Sequence, residues 1–232
     1  MLKLTFHELS SFQWCRLRWF YAYTVKLRPL EEKPQLTLGT AVHKALAVFY
    51  SKPSTERSVE LLLSSVSSDR SIPGKIEDIL KSFYTKFGND ELVQGQPEGE
   101  WCYAASDKDY EFVVHPDLVS IVPGERLNGC KLSLFEHKTG KEPDLAYYLM
   151  FDTQKWFYAA ILSKVAGAIH TDFTYTTLGT IHPYKIERAV FPMPEHLMQL
   201  RYEEFLHTAD AIYEWRKEGY DVHPHYNLTC TW

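Results

Sequence analysis

Three side chains have the types and spacing that could activate water on a phosphate. Asp117 closes His115-Pro116-Asp117, and 18 residues after it begins Phe135-Glu136-His137-Lys138. On a β-strand, residues two apart point to one face, so Glu136 and Lys138 would stand side by side. A carboxylate and an ammonium at the end of a buried apolar strand are unusual as packing residues. Asp117 on a neighbouring strand would bring a second carboxylate to the same lysine. Two hard oxygen ligands with open positions suit magnesium or manganese. Such an ion lowers the pKa of bound water and offsets charge on a scissile phosphate. Lys138 would orient that water, or help deprotonate it if desolvation depresses its own pKa. The same spacing also fits a surface Glu-x-Lys pair on an edge strand.

The elements around these residues read as α/β. Residues 8–25 have apolar and aromatic positions at helical spacing, and Pro29 to Pro34 reads as a linker. Leu38-Gly39 opens a helix whose Val42, Leu46 and Phe49 share a face, with His43 beside it. Two more helices are expected over 55–68 and 75–87, followed by a polar turn region from Gly88 to Gly99. From Trp101 the period shortens: 101–104, 110–122 and 132–136 read as strands. Helix returns over 144–166, then a strand pair over 170–178 and 185–191, then a long helix from Pro194 to about Gly219. This order predicts a central mixed β-sheet of about five strands flanked by helices, with an N-terminal helical segment. One domain is expected over 1–232, with a mainly helical part (1–99), a sheet core (100–192) and a C-terminal helix (194–219). No glycine-rich phosphate loop follows a predicted strand.

The formal charge of −5 argues against a generic basic coat for nucleic acid. Its distribution is uneven: residues 1–30 carry Lys3, Arg16, Arg18, Lys26 and Arg28 against Glu8, leaving −9 on the other 202. Trp14, Trp19, Phe20, Tyr21 and Tyr23 interleave with these cations, as in a surface that tracks a single strand by charge and stacking. The same pattern also fits a helix with its aromatic face in the core and its arginines in water. Four dispersed cysteines without a CxxC pair, no signal peptide and no bilayer-length apolar run point to the cytoplasm, with reduced thiols and no membrane partner.

Asp117 with Glu136-His137-Lys138 resembles the Asp…Glu-x-Lys core of the PD-(D/E)XK nuclease superfamily, which has a restriction-endonuclease-like fold. Gly39-Thr40-Ala41-Val42-His43 resembles the Gly-x-x-x-His motif of its RecB-like branch, and Gln154-Lys155-Trp156-Phe157-Tyr158 its Gln-x-x-x-Tyr motif. Ser10/Ser11, Cys15 and Tyr21 or Tyr23 look like its Ser…Cys…Tyr opening. The resemblance implies a Mg2+- or Mn2+-dependent deoxyribonuclease, an exonuclease in preference to an endonuclease. Its metal ligands would be His43, Asp117, Glu136 and the main-chain carbonyl of His137. By the same resemblance Gln154 and Tyr158 would position Lys138 and touch the DNA backbone, so that DNA contacts fall to Tyr158 as well as Arg16, Arg18, Lys26 and Arg28. Two departures stand out: Val114 where the family often has glycine, and Pro116 directly before Asp117, which marks an edge or bulge.

Many RecB-like relatives hold a four-iron four-sulfur cluster on one N-terminal and three C-terminal cysteines. Cys15 and Cys230 fall where the first two ligands would be, but the sequence ends at Trp232, before a Cys-x-x-Cys. Either the chain descends from a cluster-binding ancestor or a tail is missing; a cluster is not expected. Zinc on Cys15, Cys230 and His223 or His225 is the alternative use of these side chains. Cys102 and Cys130 are expected on central strands, as small apolar residues. The competing readings are a restriction- or junction-type endonuclease and a non-catalytic DNA-binding module that keeps the fold.

Overall fold

The alternation in Cys130–Gly140 organises the molecule. Leu132 and Leu134, with Glu136 and Lys138 beyond them, lie on one face of this strand, while Phe135 and His137 point to the other. Each face needs its own apolar cover, and each has one. The computed structural model, which describes residues 1–27, 34–64, 66, 73–88, 95–123 and 129–218, places helices on both sides.

The chain runs β1 (Leu2–Thr5), α1 (Phe6–Trp14), α2 (Arg16–Trp19), a π-helical turn (Phe20–Thr24), α3 (Pro34–Tyr50), a 3-10 turn (Ser54–Glu56), α4 (Val59–Ser64) and α5 (Pro73–Phe87). It continues with β2 (Gln96–Pro97), β3 (Trp101–Ala104), β4 (Tyr110–Val114), β5 (Leu118–Pro123), β6 (Cys130–Gly140) and α6 (Leu145–Phe151). Last come α7 (Gln154–Ala166), β7 (Ala168–Gly179), β8 (Ile186–Pro192) and α8 (Glu195–Glu218). A five-stranded mixed sheet has the order β2-β5-β6-β7-β8, with β6 and β7 parallel and the other pairs antiparallel. A separate three-stranded sheet, β1-β4-β3, pairs β1 parallel to β4.

One core joins α1, α7 and α8 to the inner faces of both sheets through Leu9, Phe112, Leu134, Phe157, Phe173 and Phe205. The other packs α3, α4 and α5 through Val42, Phe49, Leu80 and Phe83 against Phe135 of β6 and Leu178 of β7. α7 is buried on nearly every side, as expected of a helix whose apolar residues are not confined to one stripe. It ends at Gly167, whose φ of 61° gives the left-handed conformation common just past helix ends.

The mixed five-stranded sheet agrees with the sequence, but four expected elements are cut differently. The strand 110–122 is two strands in two different sheets, because Pro116 offers no amide donor and the chain changes sheet at His115–Asp117. The helix 144–166 breaks at Asp152-Thr153, where the Asp152 carboxylate accepts the Gln154 amide at 2.8 Å and starts a new helix. The helix 8–25 breaks at Cys15, which is extended (φ −157°, ψ 105°) and whose sulfur accepts from the Arg18 amide. The helix expected over 55–68 starts later, at Val59 after a 3-10 turn, and residues 65, 67 and 68 lie outside the described residues. Cys102 and Cys130 are not buried central thiols: Cys102 is exposed on the edge strand β3, and Cys130, at the start of β6, is part-buried with its thiol donating to the Ala166 carbonyl at 3.3 Å. No helix among the described residues is long and apolar enough to cross a membrane.

Candidate active site

Asp117 stands at the joint between the sheets. The last ladder pair of β5 and β6 is Leu118 with Phe135, so at Asp117 the strands cease to pair and a side chain can enter the gap. The Asp117 Oδ2 accepts the His137 main-chain N–H at 2.5 Å, and its Oδ1 lies 2.8 Å from Nδ1 of His43 on α3. Burial alone would raise the Asp117 pKa, but His43 and the His137 amide outweigh it and hold the carboxyl below the usual range. Burial likewise opposes charge on His43, yet the hydrogen bond to Asp117 and the charges of Asp117 and Glu136 keep its pKa raised. α3 approaches closely here because residue 39 is glycine: a Cβ there would lie 3.0 Å from the Thr139 hydroxyl.

On the other side of β6, Lys138 Nζ donates to Glu136 Oε1 at 2.8 Å and to Gln154 Oε1 at 2.7 Å. Gln154 Nε2 in turn donates to the Tyr158 hydroxyl at 2.8 Å, one helical turn on. Asp152 Oδ2 lies 3.7 Å from Lys138 and accepts from the Tyr175 hydroxyl at 2.9 Å. Burial disfavours the Lys138 charge, but Glu136 and Asp152 more than compensate, so its pKa is raised. Burial, and then the Asp117 charge, push Glu136 up to about 7.

The sequence motifs therefore meet at one place: His43, Asp117, Glu136, Lys138, Gln154 and Tyr158 come together around the open end of β6. A cavity of about 620 Å³ opens on this site, lined by Thr40, His43, Lys44, Glu98, Glu136 and Lys138, whereas another of about 740 Å³, lined by Lys141, Asp144, Leu149, Gly179 and His182, touches none of the six motif side chains. The ring of His137 faces away, as expected from its place between Glu136 and Lys138. It stacks on Tyr50 (5.8 Å, 3°), and burial drives its pKa down to about 4, so it is neutral. Tyr158 is 5% exposed and bound to Gln154, so a contact with a DNA backbone does not match a ring so deeply buried.

Among the described residues no three His, Cys, Asp or Glu side chains form a ready-made metal cage. Magnesium needs none, since one or two carboxylates suffice and the ion keeps several waters. The donor set fits that chemistry through one atom: Glu136 Oε2 is buried with no hydrogen-bond partner among the described residues. A buried carboxylate oxygen in that state is costly unless a cation or water takes it.

Arg16, Arg18 and Lys26 point to solvent, while Trp19 and Phe12 are buried, so the N-terminal segment largely puts its rings in the core. Trp14 is the exposed exception. Arg28, Cys230, His223 and His225 lie outside the described residues, and Cys15 is buried between α1 and α2. Sequence reasoning missed Asp152, Tyr175, Lys155 and Glu98. Asp152-Thr153 before Gln154 is a helix-start signal that could have exposed the first. Lys155 is buried, with Nζ donating to the carbonyls of Tyr148 (3.2 Å) and Asp152 (2.9 Å); nothing in its spacing marks it.

The family model of the PD-(D/E)XK nuclease superfamily matches residues 3–232. No curated protein matches the chain by sequence. Among solved structures, a protein from Eubacterium rectale provisionally named an exonuclease is similar with a TM-score of 0.64 at 12% identity, covering 98% of this chain and 85% of that one. A structure named SSO0001 covers 73% of each chain at 17% identity, but its TM-score of 0.29 is too low to bear on the fold.

Proposed function

Because this chain belongs to the PD-(D/E)XK nuclease superfamily, we propose that it hydrolyses phosphodiester bonds of DNA with Mg2+ or Mn2+, working from strand ends. The observation that carries this reading is the pairing of Lys138 with one oxygen of Glu136 while the other is buried near Asp117 with no hydrogen-bond partner among the described residues. Asp117, Glu136 and the main-chain carbonyl of His137 would hold the ion, with His43 completing the set. The bound cation supplies an acidic water and charge neutralisation at the phosphate.

The chain's own residues do the positioning. Lys138, charged because its carboxylate neighbours outweigh burial, orients the attacking water and faces the phosphate rather than taking the proton. Gln154 holds Lys138 from below and is itself held by Tyr158. The preference for ends rests on the resemblance to the RecB-like branch; the exonuclease name of the Eubacterium rectale neighbour agrees with it, although that likeness extends only to fold.

The test is digestion of linear and closed circular DNA with Mg2+, Mn2+ or EDTA, by the wild type and Lys138→Ala. Metal-dependent loss of linear DNA alone, abolished in Lys138→Ala, supports the reading. Cutting of the closed circle makes the enzyme an endonuclease. A protein that binds DNA but cuts nothing with either metal is a binding module, and the catalytic assignment fails.

A further inference from the structure

α6 (LAYYLMF) carries no charged side chain, yet it lies beside the reacting lysine and leaves Tyr147, Met150 and Phe151 at 55%, 69% and 63% exposure. Contiguous exposed apolar side chains of this size mark a binding surface more often than an ordinary solvent face. The rings form a connected series. The Lys138 ammonium sits 6.0 Å from the Tyr148 ring centre, Tyr148 stacks on Tyr175 (5.9 Å, 27°), Tyr147 contacts Tyr148 at 5.8 Å, and Phe151 contacts Tyr147 at 5.4 Å. One end of the series is the candidate site and the other is open to water.

We propose that the outer face of α6 is a stacking platform for unpaired bases of the substrate strand next to the bond being cut. The proposal rests on the nuclease reading above and narrows its substrate to a single-stranded or frayed end. Phosphates are gripped by cations, and α6 has none. Ring faces attract bases, and every base offers a π-face once it is unpaired. A blunt duplex hides those faces in its own stack. Tyr148 holds the platform to Lys138, so a base resting on Tyr147 and Phe151 belongs to a nucleotide close to the scissile phosphate.

The experiment measures binding by fluorescence anisotropy in EDTA, with Lys138→Ala as the parent so that nothing is cut. The probes are a labelled oligothymidine, an abasic strand of equal length and a blunt duplex. The expected result is tighter binding of oligothymidine than of duplex. Adding Tyr147→Ala and Phe151→Ala should weaken oligothymidine binding by about tenfold per ring lost and leave the abasic strand unchanged. Both rings are exposed, so an unchanged thermal melt verifies the fold. Equal loss on the abasic strand, or no loss on either, overturns the proposal. So does a parent that is dimeric while the ring-deleted variant is monomeric, because the face then belongs to a second copy. The readout does not require cleavage: wild type that cuts no DNA while this pattern holds sinks the nuclease reading and leaves the platform standing. Cutting without the pattern does the reverse.

Discussion

Lys155 donates to the main-chain carbonyl of Asp152 from a position only 1% exposed to solvent. The same ammonium takes the Tyr148 carbonyl, so one buried cation ties the end of α6 to the start of α7. Both Asp152, beside Lys138, and Tyr148, beneath it, depend on this link. Burial lowers the Lys155 pKa, which makes its charge the costly part of the arrangement. Lys155→Met strands two carbonyls and is expected to destabilise the protein by about 1–3 kcal/mol in urea unfolding. It should also lower kcat, although Lys155 touches no substrate. A variant as stable as the wild type would mean the carbonyls find other donors.

Gln154 gives Lys138 an acceptor and Tyr158 a donor. Gln154→Leu removes both, and kcat should fall about ten- to a hundredfold with KM little changed, because the bond, already made without substrate, aims the charged lysine rather than holding the substrate. Tyr158→Phe, one bond further out, should cost less. A rise in KM with kcat intact would place Gln154 in substrate binding instead.

Gly39→Ala isolates the close approach of α3 to β6. Alanine favours helix by about 1 kcal/mol over glycine, but the new methyl would press on the Thr139 hydroxyl at 3.0 Å. The single variant is expected to lose activity, because His43 is carried on the same helix, and adding Thr139→Ala should restore it. If the double variant stays as impaired as the single one, crowding at Thr139 is not the reason for glycine.

Glu136 titrates near 7 when folded and near 4.5 when unfolded. Its folded-state pKa is raised, so its contribution to metal-free stability is present below about pH 4.5 and is lost as pH rises through 7. Glu136→Gln should therefore gain Tm relative to wild type in EDTA as pH goes from 5 to 8. A cation must displace the Glu136 proton, so Mg2+ binding below pH 7 should release protons, and affinity should climb with pH. Calorimetry in buffers of different ionisation enthalpy measures both. Proton-neutral binding at pH 6 would remove Glu136 from the ligand set.

The site was legible in the sequence to the extent that its residues act through spacing. Glu136 and Lys138 share a face because strands alternate, and Gln154 and Tyr158 meet because helices repeat. Asp117 was legible through resemblance, while Pro116 gave a local warning of the break that frees its side chain. Lys155 was not legible, because nothing in its spacing marks it; Asp152-Thr153 carried a helix-start signal, but the apolar residues on either side read as one continuous helix. β1 was missed because Leu2–Thr5 is too short to show a period and pairs with β4, more than a hundred residues away. The N-terminal aromatics looked like a stacking surface because sequence does not tell a core ring from an exposed one at helical spacing. Trp19 is core while Trp14 is exposed, and the exposed rings beside the site, Tyr147 and Phe151, are on α6.

The change of sheet at Pro116 makes the His137 amide an internal gauge. That proton is held by a carboxylate just past the last ladder pair, at the seam where the two sheets part company. Its exchange with deuterium reports whether the seam is shut, independently of how well β5 and β6 are paired. A cation that takes Asp117 competes for the same oxygens, so loading the site should change the exchange rate at this one position before any rate of cleavage is measured.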